Sequence, residues 1–325
     1  MGINRDKPDL WKTDIKQSVD LYNSWFMQFA PKAFRETRVK TAKHVEFALR
    51  STENLTNVTP TLLKEHPNVL PMLRMSTCPP IARDRLIGLA GVSKNLVKNM
   101  EDEEKPRVPP KMSQVALNSE LNKIGATIEK MADPDIFVWL GRKEPATEAE
   151  VLRAATIVAD RLCGAVSDPI IRNAQEKRQL AGIASWLNDK EYKPHAVANG
   201  VKFNQMQPGT YSFRMNVQIK MIDEKNKEKL VNIPVDAVIM PKSAGPGDFP
   251  LLIEAKSAGD FTNVNKRRKE EAQKMSQLRN TYGQTIRFGL FLCGYFDSGY
   301  LGYEAAEGID WVWEHRIDDL AKYGI

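Results

Sequence analysis

The sequence predicts an α/β fold, in which helices flank a mixed β-sheet and a helical region precedes this core. Two patterns along the chain support the prediction. In the first half, apolar residues recur at helical spacing, as Leu21, Trp25 and Phe29 do. From about residue 200, apolar residues alternate with polar ones or form short continuous runs, which is typical of strands. We therefore expect a helical N-terminal region over residues 1–165 and an α/β core over residues 166–325.

Prolines, a glycine and one linker divide the helical half into several predicted helices. The charged, proline-rich segment EDEEKPRVPPK is expected to be a loop, and Gly91 is expected to interrupt a helix. Thr147 and Glu150 have the spacing of a capping box, which predicts a helix start. Asp168 and Pro169 predict the start of another helix, because Asp caps helices and Pro suits their first position.

Four strands are predicted in the second half, in the order of three strands, a helix and a fourth strand. The helix has Ala272, Met275, Leu278 and Tyr282 on one face. The tail IDWVWEHRIDDLAKYG is expected to be helical. The four predicted strands are GTYSFRMNVQIKMI, LVNIPVDAVIM, LLIEAKSA and IRFGLFLCGY.

Composition narrows the class of protein without identifying its function. With 42% hydrophobic and 27% charged residues, the 325-residue chain fits a globular protein rather than a disordered one. The net charge of +6 favours an anionic partner, although a solvated basic surface is the alternative. Three widely spaced cysteines form neither a metal motif nor a disulfide framework, which indicates a reducing, cytoplasmic location. No apolar run is long enough to predict a membrane span.

Charged residues in two predicted apolar strands form the candidate site. Glu254 and Lys256 follow the apolar run Leu251–Ile253, and Asp236 lies in the apolar strand before it. Residues two apart on a strand project to the same face, so Glu254 and Lys256 point together. If the two strands are neighbours, all three side chains converge at one end of the sheet. The alternative is a buried salt bridge between strands, which leaves Asp236 without a role.

Two carboxylates this close would repel each other, and a divalent cation resolves that repulsion. Carboxylate oxygens suit Mg²⁺, and the Ala255 carbonyl could add a ligand. We therefore predict that Asp236 and Glu254 bind Mg²⁺ for phosphodiester hydrolysis. Lys256 is predicted to act on the attacking water or on the charge that develops on the phosphate.

This arrangement resembles the PD-(D/E)xK nuclease superfamily, although Pro-Val-Asp replaces the usual Pro-Asp at its first part. The segments LLIEAKSAGDFTNVNKRRKEEAQKMSQLRNTYG and CPPIARDRLIGLAGVSKNLV resemble the XamI-like type II restriction endonucleases, a likeness that runs from about residue 20 to the end. The resemblance implies a restriction-endonuclease-like core that cleaves double-stranded DNA at a short specific site with Mg²⁺. It also implies a homodimer on a palindromic site, with the helical region contacting DNA, forming the dimer, or both.

The resemblance raises further candidates. Glu176, on the helix before the first strand, is a candidate metal-organising acid, and a solvated helix charge is the alternative. Glu270 and Glu271 are expected to be surface charges, because Glu254 already supplies the strand carboxylate. A basic cluster follows the site and predicts contacts with DNA phosphates, against the alternative of a solvated helix face. This cluster comprises Lys266, Arg267, Arg268 and Lys269.

Two other functions remain open at this stage. A DNA repair or junction-resolving nuclease would carry the same site, and structure-dependent cutting of DNA would identify it. A DNA-binding protein with a decayed site is the non-enzymatic alternative, and the presence of all three site residues argues against it.

Overall fold

The computed structural model describes residues 2–195, 202–222, 227–261 and 264–325, with no side-chain description for residues 222 and 265–268. The chain forms two compact units. One contains residues Met1–Phe29 and Arg172–Ile325, and the other contains residues Ala30–Ile171. The first unit holds the sheet, so the N-terminal 29 residues belong with the C-terminal half of the chain.

The helices differ greatly in length. Two of them, of 44 and 42 residues, cross the boundaries between the units. None of the helices in the described ranges is both long and apolar enough to cross a membrane. The described ranges also contain 3₁₀ segments at Pro67–Val69, Val138–Gly141, Phe203–Gln205 and Glu314–Tyr323. The helices are α1 (Pro8–Ser51), α2 (Pro60–Glu65), α3 (Leu70–Met75), α4 (Arg83–Ala90), α5 (Lys94–Met100), α6 (Gln114–Met131), α7 (Glu148–Asp189), α8 (Val264–Tyr282) and α9 (Ser298–Ala306).

The strands form one mixed sheet with the spatial order β1-β2-β3-β4-β5-β6. β2, β3 and β4 pair antiparallel, whereas β4, β5 and β6 run parallel and β1 runs parallel to β2. The predicted mixed sheet with flanking helices is therefore confirmed. Its strands are β1 (Lys193–Pro194), β2 (Thr210–Ile222), β3 (Glu228–Met240), β4 (Leu251–Ala258), β5 (Arg287–Gly294) and β6 (Asp310–Trp313).

Alternate residues of the central strands supply two apolar layers. Leu252 and Leu290 pack with Leu278 of α8 on one face. Ile253 and Phe291 pack with α7 residues, including Ile183, on the other face. Both faces are covered by helices, which explains why β4 and β5 appear in the sequence as continuous apolar runs.

Several local predictions are confirmed and others are wrong. Glu150 and Thr147 form the expected capping box, with each side chain accepting from the other residue's backbone N–H. Gly91 ends α4 in the left-handed conformation. However, α1 continues through Pro31, and α7 continues through Pro169 where a helix start was predicted.

The C-terminal tail also differs from the prediction. Asp310–Trp313 is a strand, and only Glu314–Tyr323 is helical, in the 3₁₀ form. The short segment pairs with β5 as a parallel edge strand, and Trp311 and Trp313 are fully buried in the apolar layer that contains Leu290. Tertiary pairing therefore overrides the helical pattern of this segment.

Candidate active site

The predicted site lies where the pairing between β3 and β4 ends. Ala237 pairs with Ile253, which places Asp236 and Glu254 at the next position along both strands. The Ala255 N–H donates to Asp236 Oδ2 at 2.9 Å. The two carboxylates therefore come together from neighbouring strands, as the sequence predicted.

Glu254 is buried, and each of its carboxylate oxygens faces a different lysine. Lys256 Nζ lies 3.3 Å from Glu254 Oε1, which is the neighbour expected from their spacing on one strand. Lys274 of α8 donates to Glu254 Oε2 at 2.8 Å and to the Pro234 carbonyl at 2.9 Å. Lys274 therefore links both strands of the candidate site to the helix that covers them.

Asp236 has an unusual environment for a carboxylate. Burial and, to a smaller extent, the neighbouring charge of Glu254 raise its pKa to about 6, although the hydrogen bond from Ala255 opposes both. The charges of Lys256 and Glu176 also reach Asp236, with opposite effects on its pKa. A bound cation would favour the ionised form of Asp236 in this environment.

Lys256 is surrounded by acids. Its ammonium lies 3.3 Å from Glu271 Oε1 of α8, at the same distance as from Glu254. Burial lowers the pKa of Lys256, but the charges of Glu254, Glu271 and Asp236 outweigh burial and leave the pKa above its ordinary value. Lys256 is therefore held in its protonated form, as a hydrogen-bond donor and a positive charge.

A second layer of buried acid lies beyond Lys256. Glu271 is only 2% exposed, so the prediction that it is a surface charge is wrong, whereas the same prediction for Glu270 is confirmed. Glu304 of α9 is fully buried, and burial together with the charge of Glu271 raises its pKa to about 8. Glu304 is therefore protonated near neutral pH, which leaves Glu271 as the carboxylate that compensates Lys256.

Glu176 of α7 is paired with a residue of β2. Arg214 donates to Glu176 Oε1 through Nε at 3.0 Å and through Nη2 at 2.8 Å. Phe213 pairs with Ala237 and Met215 with Val235, so Arg214 occupies the ladder position beside Asp236. Arg214 has φ of +52°, a left-handed conformation that is costly for a side chain with Cβ.

Two buried glutamines of α7 fix the end of β4 that carries Lys256. Gln179 donates to the Lys256 carbonyl at 3.3 Å, and Gln175 donates to the Ser257 hydroxyl. Ser257 in turn donates to the Cys293 carbonyl of β5 at 3.1 Å. The backbone that positions Lys256 is therefore held from the opposite face of the sheet.

The basic cluster predicted to contact DNA lies at the beginning of α8. Lys269 is exposed to solvent. The side chains of Lys266, Arg267 and Arg268 lie outside the part of the chain that the structure describes. Their predicted role therefore stays a prediction.

The donor set of the site fits a divalent cation. Asp236 and Glu254 supply carboxylate oxygens from adjacent strands, and their mutual repulsion is the electrostatic condition that a cation relieves. Within the described residues, no group of three or more His, Cys, Asp or Glu side chains is arranged to hold a metal ion. The two other nearby acids face cations of the protein, with Glu176 on Arg214 and Glu271 on Lys256.

Sequence reasoning missed three residues of this site. Glu271 and Lys274 lie on the face of α8 turned toward β4, and their helical spacing from Leu278 was the available signal. Arg214 gave no such signal, because a left-handed arginine within a strand cannot be recognised from its neighbours in the sequence.

Comparison with known proteins identifies a family and a relative of this chain. A family model described as XamI restriction endonuclease matches residues 53–313. The type II restriction enzyme SalI of Streptomyces albus G is 54% identical over 322 residues, which cover 99% of this chain and 99% of that enzyme. No solved structure gives a significant match to the chain. The range matched by the family model spans the two strands of the candidate site, and the match to the relative covers nearly every residue of the chain.

Proposed function

This chain belongs to the XamI restriction endonuclease family, as its sequence predicted, and is a type II restriction endonuclease. We propose that it hydrolyses phosphodiester bonds of double-stranded DNA at a short palindromic site, with Mg²⁺ bound at a PD-(D/E)xK centre. The juxtaposition of Asp236 and Glu254 beside Lys256 is the observation that carries this proposal.

Asp236 and Glu254 would hold Mg²⁺, and the Ala255 carbonyl is a candidate third ligand. The bound ion would polarise the scissile phosphate and favour hydroxide formation from bound water. Lys256 places a protonated ammonium beside these carboxylates, where it can donate a hydrogen bond to the attacking water or to a phosphate oxygen. The geometry favours this donor role over a role as general base, because acids on both sides stabilise the ammonium.

Two features of the chain support a DNA substrate. The net charge is +6, and the basic residues Lys266–Lys269 begin α8 about ten positions after Lys256. Such residues would contact phosphates and give salt-sensitive affinity without selecting a sequence. The helical N-terminal region, residues 1–165, would contact DNA, form the dimer, or both.

We propose a homodimer, because a two-fold symmetric protein matches a palindromic site and can cut both strands. Light scattering of the purified protein, with and without DNA, tests this point. A mass that stays that of one chain in both conditions would contradict it.

Digestion of a sequenced plasmid tests the main proposal. We expect discrete fragments with Mg²⁺ and intact plasmid with EDTA, and sequencing of the fragment ends would identify a repeated short site. A matched reaction with Glu254→Gln should leave the plasmid intact. Random degradation, or cutting confined to junctions and damaged DNA, would overturn site-specific cleavage.

A further inference from the structure

Glu254 is neutralised by two ammonium groups that come from different elements. Lys256 lies two residues away on β4, whereas Lys274 reaches it from α8. Lys274 also donates to Pro234, two residues before Asp236 on β3. Two positive charges therefore lie against the carboxylates that are proposed to hold the cation, and they compensate acids that would otherwise repel each other.

The two lysines differ in their second partners. Lys256 has another anion at 3.3 Å, the buried carboxylate of Glu271. Lys274 has only a neutral carbonyl, that of Pro234, as its other hydrogen-bond acceptor in the described part of the chain. Their side chains are similarly exposed, at 20% and 18%, so solvent does not distinguish them. If Glu254 turns away, Lys256 keeps an ion pair and Lys274 does not.

Glu271 is suited to retain Lys256. Neither of its carboxylate oxygens accepts a hydrogen bond of good geometry within the described residues, and Lys256 is the cation beside it. A buried carboxylate is stable only when a cation or strong donors compensate it. Glu271 and Lys256 therefore depend on each other, whatever Glu254 binds.

We propose that Lys274 is a positioning residue that holds Glu254 and releases it to a divalent cation, while Glu271 keeps Lys256 in place. This inference rests on the proposed function, because each of them takes Glu254 to be a ligand of the cation. The ammonium of Lys274 lies 2.8 Å from Glu254 Oε2, so a cation that binds this oxygen meets the positive charge of Lys274 unless Lys274 moves away. Lys274 therefore competes with the cation for this oxygen, and the competition lowers the affinity of the free protein for Mg²⁺.

Calorimetric titration of the DNA-free, full-length protein with Mg²⁺ tests the competition without any cleavage reaction. Lys274→Met keeps the length of the side chain and removes its charge, so we expect its Mg²⁺ dissociation constant to fall about tenfold. The control is Lys229→Met, which removes the same charge from an exposed position on β3. An affinity of Lys274→Met that is unchanged, weaker or unmeasurable would overturn the proposal.

Thermal melts keep this test decisive if the substitution affects folding. Without Mg²⁺, Lys274→Met should melt below the wild type, because Glu254 then has a single cation. Added Mg²⁺ should raise the melting temperature of Lys274→Met more than that of the wild type. Lys274→Arg retains the charge, and we expect it to bind Mg²⁺ within about threefold of the wild type. A tenfold gain in the Mg²⁺ affinity of Lys274→Arg would contradict the proposal that the charge of Lys274 competes with the cation.

The role of Glu271 predicts a separate kinetic effect. Glu271→Gln should lower kcat about tenfold and leave KM for DNA unchanged, because Lys256 loses the group that positions it. The matched control is Glu270→Gln, an exposed neighbour on the same helix. A Glu271→Gln enzyme with wild-type kcat, or one in which only KM changes, would show that Glu271 does not position Lys256.

Failure of this inference can be distinguished from failure of the proposed function. A wild-type protein that does not cleave DNA with Mg²⁺ refutes the function itself. If the wild type cleaves and Asp236→Asn does not, the function stands. In that case an unchanged Mg²⁺ affinity in Lys274→Met refutes only the proposal that Lys274 competes with Mg²⁺ for Glu254.

Discussion

Asp236 Oδ2 accepts a hydrogen bond from the backbone N–H of Ala255, at 2.9 Å across two adjacent strands. Ala255 lies between Glu254 and Lys256, so this single bond fixes the carboxylate of β3 against the segment of β4 that carries the other two site residues. The bond lies just beyond the last paired residues of the two strands, Ala237 and Ile253. Backbone pairing therefore determines the geometry of the site as much as the side chains do.

Asp236→Asn should reduce DNA cleavage by more than about a hundredfold, because the amide keeps the shape of the side chain and loses its charge. DNA binding, measured in EDTA by fluorescence anisotropy, should persist. The Ala255 N–H can still donate to the amide oxygen, so the fold should be retained. Cleavage within tenfold of the wild type would exclude Asp236 from the metal site.

Arg214→Gly and Arg214→Ala should differ in stability although both lose the ion pair with Glu176. Glycine accepts the left-handed conformation of φ +52° without strain, whereas alanine does not. We expect Arg214→Gly to have a free energy of unfolding about 1 kcal/mol above that of Arg214→Ala, measured by urea denaturation. The opposite order, or equal values, would mean that the backbone at this position is not left-handed.

Glu304 should make stability depend on pH. Its pKa is raised from its ordinary value of 4.5 to about 8, so the folded protein holds this proton more tightly than the unfolded chain does. The stabilisation is complete below pH 4.5 and is lost as the pH rises toward 8, with a slope of at most about 1.4 kcal/mol per pH unit.

Glu304→Gln should therefore remove this part of the pH dependence, measured as melting temperature between pH 5 and 9. The variant should resemble the wild type near pH 5 and exceed it above pH 8, because the neutral amide is not forced to ionise. Glu307→Gln, an exposed position in the same region, is the control that should keep the wild-type slope. Parallel curves for Glu304→Gln and the wild type would contradict a raised pKa for Glu304.

The basic cluster on α8 should determine how DNA affinity depends on salt. We expect a quadruple substitution with glutamine to lower the slope of log K against log salt by about 0.9 for each phosphate that is no longer neutralised. Binding in EDTA to duplexes of unrelated sequence should weaken equally. Substituting Lys190 and Lys242, which are exposed elsewhere on the sheet unit, should change the slope less. An unchanged slope in the quadruple variant would refute phosphate binding by Lys266, Arg267, Arg268 and Lys269.

The sequence alone predicted the sheet-forming half, the strands that carry the candidate site and the proximity of Asp236, Glu254 and Lys256. It could do so because strand periodicity is local, and an acid at the end of an apolar run is costly unless a partner or a metal compensates it. The same local rules gave wrong results at Pro169 and at Asp310–Trp313, where the helix continues and a strand forms.

Only the tertiary structure decided what surrounds the three site residues. α8 brings Glu271 and Lys274 against β4, and α9 adds the buried Glu304. An acid on an amphipathic helix can be a surface charge or a buried partner, depending on how the helix is rotated against the sheet. Apolar packing around residues such as Leu278 sets this rotation. The charges on the strands could therefore be predicted one by one, whereas their compensation is a property of the assembled fold.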